Sequence, residues 1–257
     1  MTETPKIIVV LPSGYALVNL PANIDAAHMT YCIGRGFRLY KARERFSRPG
    51  GFMVLEISRF QGGGPIAAIT ENVISECIKR QFKGVVLDSC GLRETPATLA
   101  LVQSLSLALQ KKGLLLFVPE VFGDTGRNAI VRVTTALSGG TLTRHLQDCT
   151  KKYGIKNLAV EIERVRMDFS LPSHSGTGHE LSVAGLDTLM SKRDGKTFYS
   201  PELAANYFIH HENSQPKFVL FDDADSIKKK LSLVRDTGIP FAFLFYPQVS
   251  DILDDVL

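Results

Sequence analysis

The sequence predicts an α/β protein, a (β/α)8 TIM barrel folded as a single domain over residues 1–257. Three observations predict it. Short apolar runs rich in Val, Ile, Leu and Phe alternate with helix-period segments from end to end. Those runs lack strict polar–apolar alternation, which marks strands covered on both faces, as in a parallel sheet. A length of 257 residues suits a closed barrel better than the doubly wound sheet that fits the same alternation.

Residues 6–11 (KIIVVL) are the first strand, closed by a turn at 12–14. Residues 27–33 form a weaker second run and 52–57 (FMVLEI) a clear third. After a glycine-rich loop at 61–65, residues 69–81 carry apolar side chains at helical spacing, and 84–87 (GVVL) read as a buried fourth strand. Thr95 and Pro96 start the next helix, the threonine as N-cap and the proline at the first helical position. That helix stops at Gly113 with lysines in its last turn. Strands follow at 114–119 and 129–135, then a helix at 141–153 closed by Gly154. Residues 158–165 read as a strand, 200–207 as a short helix and 217–221 as a strand. Carboxylates and hydroxyls at 222–226 cap a helix over 227–237, and 241–246 (FAFLFY) close the series of about nine strands. The polar stretch 170–197 is the longest loop insertion.

Composition bounds the function. A 44% hydrophobic, 22% charged chain of this length buries a sizeable core without metal or disulfide staples. The net charge of +4 is small and the basic residues read as scattered, solvated surface; a nucleic-acid groove would need a stripe. Cys32, Cys77, Cys90 and Cys149 show no metal-ligand spacing and read as reduced thiols of a cytoplasmic protein. The first residues lack a signal-peptide pattern and no apolar run reaches membrane length, so neither membrane nor nucleic acid is expected as a partner. No cofactor or metal is expected either. His210 and His211 have no third ligand at useful spacing, His174 and His179 lie in the polar loop, and QGGGP at 61–65 lacks the residues of a phosphate loop.

Three stretches in order resemble the family-18 glycoside hydrolases, the chitinase-like barrels, whose relatives include bacterial spore cortex hydrolases. AAHMTYCIGRG at 26–36 looks like the family's second strand. KGVVLDSC at 83–90 falls where the family carries Asp-Gly-x-Asp-x-Asp-x-Glu on the fourth strand. Residues 218–247 resemble its last strand–helix–strand unit, which ends in Trp-Glu. Carried across, Lys83 takes the first Asp, Val86 the second, Asp88 keeps the third, and Cys90 stands in place of the Glu.

The resemblance implies a sugar site at the C-terminal mouth of the barrel. In the family that Glu protonates the leaving oxygen while the substrate's N-acetyl group attacks. A thiol with an ordinary pKa near ~8.5 is a poor substitute, and general acid catalysis is worth about 10²–10⁴-fold. Phe245-Tyr246 replaces Trp-Glu, and the chain contains no Trp. The implied protein is a chitinase-like barrel without glycosidase activity that binds an N-acetylglucosamine polymer, a peptidoglycan fragment or another small polar ligand.

Asp88, Cys90, Glu56, Arg59, Glu120, Asp168 and Tyr246 are the expected ligand-binding residues, each at or just past a strand end. Phe37, Tyr40, Phe122 and Phe245 join Tyr246 as candidate stacking surfaces. Two alternatives stay open. One is an active hydrolase using Asp88 and Glu120 on adjacent strands; the other is a non-catalytic scaffold. A structural role for the same carboxylates, paired with Arg59, Arg132 or Arg166, fits the sequence as well.

Overall fold

A computed structural model describes the chain apart from residues 1, 2, 35, 36, 44, 48, 90, 92, 93, 138, 139, 172–177, 193, 194, 213 and 214. In chain order the first sheet contains β1 (Lys6–Pro12), β2 (Asp25–Gly34), β3 (Arg38–Lys41), β4 (Phe52–Glu56), β5 (Gly84–Asp88), β6 (Leu115–Pro119), β7 (Ile130–Thr134) and β8 (Leu158–Ile162). A second sheet follows, made of β9 (Arg166–Ser170), β10 (His179–Glu180), β11 (Phe198–Ser200), β12 (Ala205–Glu212) and β13 (Gln215–Phe221). β14 (Phe241–Phe245) returns to the first sheet and pairs with both β1 and β8, while β1 also pairs with β2. Eight parallel strands therefore close into a barrel, and β3 folds back antiparallel on the end of β2.

Two cores explain why these runs fold this way. One residue set points into the barrel, among them Ile8, Val54, Val86 and Ala159, around Phe117. The Phe117 ring meets Phe52, Phe241 and Phe243 edge-on at 5.4, 5.1 and 5.0 Å, the T-shaped geometry that aromatic quadrupoles favour. The alternate set, including Val9, Leu55 and Leu87, packs outward under α1 (Ile66–Arg80), α2 (Pro96–Lys111), α3 (Leu142–Tyr153) and the helices nearer the C-terminus. Strands buried on both faces need no polar alternation, which is why the runs read as continuous. Gly84 is required where β5 meets β6: a Cβ there would come within 2.1 Å of the Leu115 carbonyl oxygen.

Local signals placed the helix ends. Thr95 accepts from the Thr98 backbone N–H while the Thr98 hydroxyl accepts from the Thr95 N–H, with Pro96 following. Asp223 and Ser226 make the same reciprocal cap at the start of the helix Ala224–Thr237, which ends on Gly238 in the left-handed region. That helix is α5, after α4 (Val183–Lys192) and before α6 (Tyr246–Val249) and α7 (Leu253–Val256).

Four expectations need correction, all in one region. The strand beginning at Leu158 ends at Ile162 rather than at 165. Residues 200–207 are not a helix; they are the end of β11, a turn at 201–204 and the start of β12. Phe198, Tyr207 and Phe218 pair across strands at 5.5 and 5.2 Å, and such pairing overrides weak local preference. The strand at 217–221 belongs to the second, antiparallel sheet and not to the barrel. The polar stretch 170–197, expected as loop, contains β10 and α4, whose Leu186 packs on Phe208, Val219 and Phe221 of that sheet.

Candidate ligand-binding mouth of the barrel

Inward positions on a strand recur every second residue, so the last inward residue of each barrel strand reaches the C-terminal mouth. Val86 is buried in the barrel interior, and Asp88, two residues on, enters a cavity of about 350 Å³. The same step carries β7 from Ile130 to Arg132 and β8 from Ala159 to Glu161. Val10, Val54 and Val86 form an apolar floor; Met29, Pro119 and Phe245 complete the wall.

Arg132 organises the polar side. Its Nη2 donates to the Leu87 carbonyl at 2.8 Å, its Nη1 donates to Glu161 at 3.3 Å, and its guanidinium lies 5.5 Å from the Phe243 ring centroid. The cation is nearly buried, whereas the Glu161 side chain is 38% exposed. The mouth thus pairs an apolar floor with a few converging polar groups, the composition of a small-molecule site.

The expected site residues separate. Asp88 lies in the cavity, half-buried. Glu56 ends β4 opposite Asp88, half-buried, and accepts from the Ser58 hydroxyl. Arg59 is exposed beyond it. Burial pushes the nearby Cys32 thiol pKa up, the Glu56 carboxylate adds to the rise and Arg59 opposes it. Cys90 lies outside the described residues, as does His174.

The other three are elsewhere. Glu120 sits exposed in a 3-10 turn after β6 and accepts from the Tyr153 hydroxyl of α3 at 3.4 Å; it does not line the Asp88 cavity. Asp168 lies mid-strand in β9, buried, 3.2 Å from Lys217 and 3.6 Å from His210. It belongs to the second sheet because the barrel strand stops at Ile162. Tyr246 starts α6 and packs 5.2 Å from Tyr15, leaving Phe245 as the residue that faces the cavity. Of the other candidate stacking rings, Phe122 is fully buried, Phe37 packs edge-on against Phe60 at 5.8 Å, and Tyr40 lies on β3.

Glu161 was missed as a site residue, and Arg132 was weighed only as a structural partner. The signal was present in the period-two spacing from Ile130 and Ala159.

A second cavity, of about 430 Å³, lies between the ends of β7 and β8 and the second sheet, with Thr135, Glu163 and Lys230 on one side and Met167, Phe169 and Leu220 on the other. Among the described residues no group of three or more His, Cys, Asp or Glu is placed to hold a metal ion, and no helix is long and apolar enough to cross a membrane.

Neither a family model nor a curated protein matches the chain. Solved structures do. The spore cortex-lytic enzyme SleL of Bacillus cereus superposes with a TM-score of 0.67 at 15% identity, over 100% of this chain and 75% of that one. A glycoside hydrolase family 18 N-acetylglucosaminidase from Paenibacillus barengoltzii gives 0.67 at 13% identity over 98% of each chain. A chitinase-like agglutinin from Robinia pseudoacacia gives 0.59 at 14%, over 93% of this chain and 94% of that one. The fold implied by the sequence resemblance is the fold observed, a chitinase-like barrel. At these identities the likeness extends to fold alone.

Proposed function

We propose that the barrel mouth binds a carbohydrate, an N-acetylglucosamine polymer or peptidoglycan fragment, and leaves its glycosidic bonds intact. One observation carries the reading. The fourth barrel strand presents Asp88 to a cavity of ligand size, while buried Val86 holds the preceding inward position, where the resembling family has a second Asp. In sequence, the family's proton donor is replaced by Cys90.

Asp88 accepts hydrogen bonds from sugar hydroxyl or amide groups, the Arg132–Glu161 pair offers a donor and an acceptor beside it, and Phe245 supplies an apolar face. With Cys90 in place of the family's proton donor, the leaving oxygen lacks that general acid and binding does not lead to bond cleavage. The agglutinin shows that the same fold occurs in a protein described by binding rather than hydrolysis. The Asp88–Glu120 acid/base alternative draws no support, because Glu120 turns to α3.

Thermal shift with N-acetylglucosamine oligomers, alongside release from chromogenic glycosides, tests this. Ligand that binds the native state raises the melting temperature. The expected result is a shift that Asp88→Asn abolishes, with no chromophore release. No shift at millimolar oligomer, or release that depends on Asp88, overturns the reading.

A further inference from the structure

We propose that the flank of the barrel formed by β3 and α1 docks a linear phosphodiester polymer of the cell envelope, held by charge. The expectation of scattered basic residues fails over residues 35–48. That segment holds six Lys and Arg against a single acid, Glu44, an excess of five that is larger than the +4 of the whole chain.

The fold adds α1 to it. Arg38 and Lys41 are the ends of β3, and a groove of about 560 Å³ between β3 and α1 is lined by Arg38 and Lys79, the acid Glu76, the neutral Asn72 and Ser75, and Leu39. Lys41 and Arg80 flank Glu76 at 3.6 and 3.2 Å and both lie over the Phe46 ring, at 5.1 and 6.0 Å. Lys41 and Phe46 thus lie beside Arg80, and Arg43 and Arg45, between them in sequence, are exposed. α1 contributes two carboxylates, Glu71 and Glu76, and Glu76 already accepts from Tyr31 and Arg80. Burial and the neighbouring Arg80 charge hold the Lys41 ammonium below its ordinary pKa even with Glu76 beside it. Positive charge is in excess here.

Guanidinium groups match phosphate oxygens in two-pronged geometry, so Arg38 in the groove with exposed Arg43 and Arg45 on the same basic segment suits a phosphate chain. Nucleobases would also need free aromatic faces. Of the interleaved rings, Phe37 packs on Phe60 and Phe46 stacks on His28 at 4.0 Å; Tyr40 is 48% exposed, a single ring where successive bases would need a row of them. A base-free polymer is favoured over single-stranded nucleic acid, and a groove over a flat contact favours a polymer over a lipid surface. The envelope as source rests on the carbohydrate reading of the mouth; the charge itself does not.

The test measures binding of a fluorescent glycerol-phosphate polymer to the full chain at about 50 and 200 mM salt, since displaced counterions make phosphate contacts salt-dependent. Affinity is expected to fall steeply with salt and to drop at least about tenfold in Arg38→Glu with Lys79→Glu, or in Arg43→Glu with Arg45→Glu. Lys111→Glu with Lys112→Glu, at the far end of α2, is expected to change nothing; circular dichroism confirms that each variant folds. Absent binding, reversal without effect, or tighter binding to an equally charged DNA strand or to phosphatidylglycerol vesicles overturns the proposal. The same variants are titrated with N-acetylglucosamine oligomers. Polymer binding retained where oligomers fail to bind supports the patch and tells against the mouth reading alone.

Discussion

Two ion pairs stand near the C-terminal rim of this barrel and are built differently. Asp222 and Lys230 are 0% and 1% exposed, and every contact is internal. The Asp222 carboxylate accepts from Lys230, the Val165 N–H and the Ser226 hydroxyl, and Lys230 also donates to the Glu163 carbonyl. Both groups are committed to partners inside the protein, and Lys230 also borders the second cavity. Arg132 and Glu161 form the other pair, with Glu161 open to the cavity and the Arg132 Nε buried without a partner. Charge at a strand end therefore does not by itself distinguish a strut from a cavity-lining pair; exposure of one partner to a cavity does. The first pair is a strut that ties α5 to the chain beyond β8, and the second lines the cavity proposed to bind ligand.

Breaking the strut is the largest effect expected. Asp222→Ala leaves a buried ammonium uncompensated and should cost about 3–5 kcal/mol, lowering the melting temperature by roughly 6–20 °C for a chain of this size. Asp222→Leu with Lys230→Met should recover much of it, because apolar replacement removes both desolvation costs. If Asp222→Ala is no worse than Glu161→Gln, the distinction between strut and site fails.

A buried group without a counter-charge sharpens the same contrast. Burial, with Glu76 adding to it, pushes the Cys77 thiol up to about 12. Between the ordinary thiol value and that point the unfolded chain has released a proton that the native chain keeps. Stability should therefore fall as pH rises through this window, by up to about 1.4 kcal/mol per pH unit for this group, and be unaffected below it. Urea unfolding across alkaline pH should show a shallower fall in Cys77→Ala. Cys149, raised to about 11 by burial first, contributes in the same direction.

Two smaller effects locate the boundary. Asp223→Ala removes the helix cap next to the strut and should cost about 1 kcal/mol, leaving oligosaccharide binding intact. Glu161→Gln should cost less than about 1 kcal/mol, since its partner pair is partly solvated, yet weaken oligosaccharide binding measured by titration. Unchanged binding in Glu161→Gln would assign the pair a structural role.

Barrel strands, helix caps and the placement of Asp88 were legible in the sequence because each depends on local pattern: continuous apolar runs, Thr95-Pro96, Asp223 with Ser226, and period two along one strand. The second sheet was not. Its strands at 198–200 and 205–212 are partly exposed and are held by rings brought together from separate segments. Glu120 turns to α3 just past its strand, and Asp168 falls within β9 because β8 ends at Ile162; the next element decides where each goes.

The sequence by itself determined a series of apolar strands covered on both faces and alternating with helices, because burial on both faces is encoded residue by residue. Only the tertiary structure decided which charged side chains share a cavity, which become struts, and where the basic segment meets α1. Those outcomes depend on distances between residues far apart in the chain, and no local pattern carries them.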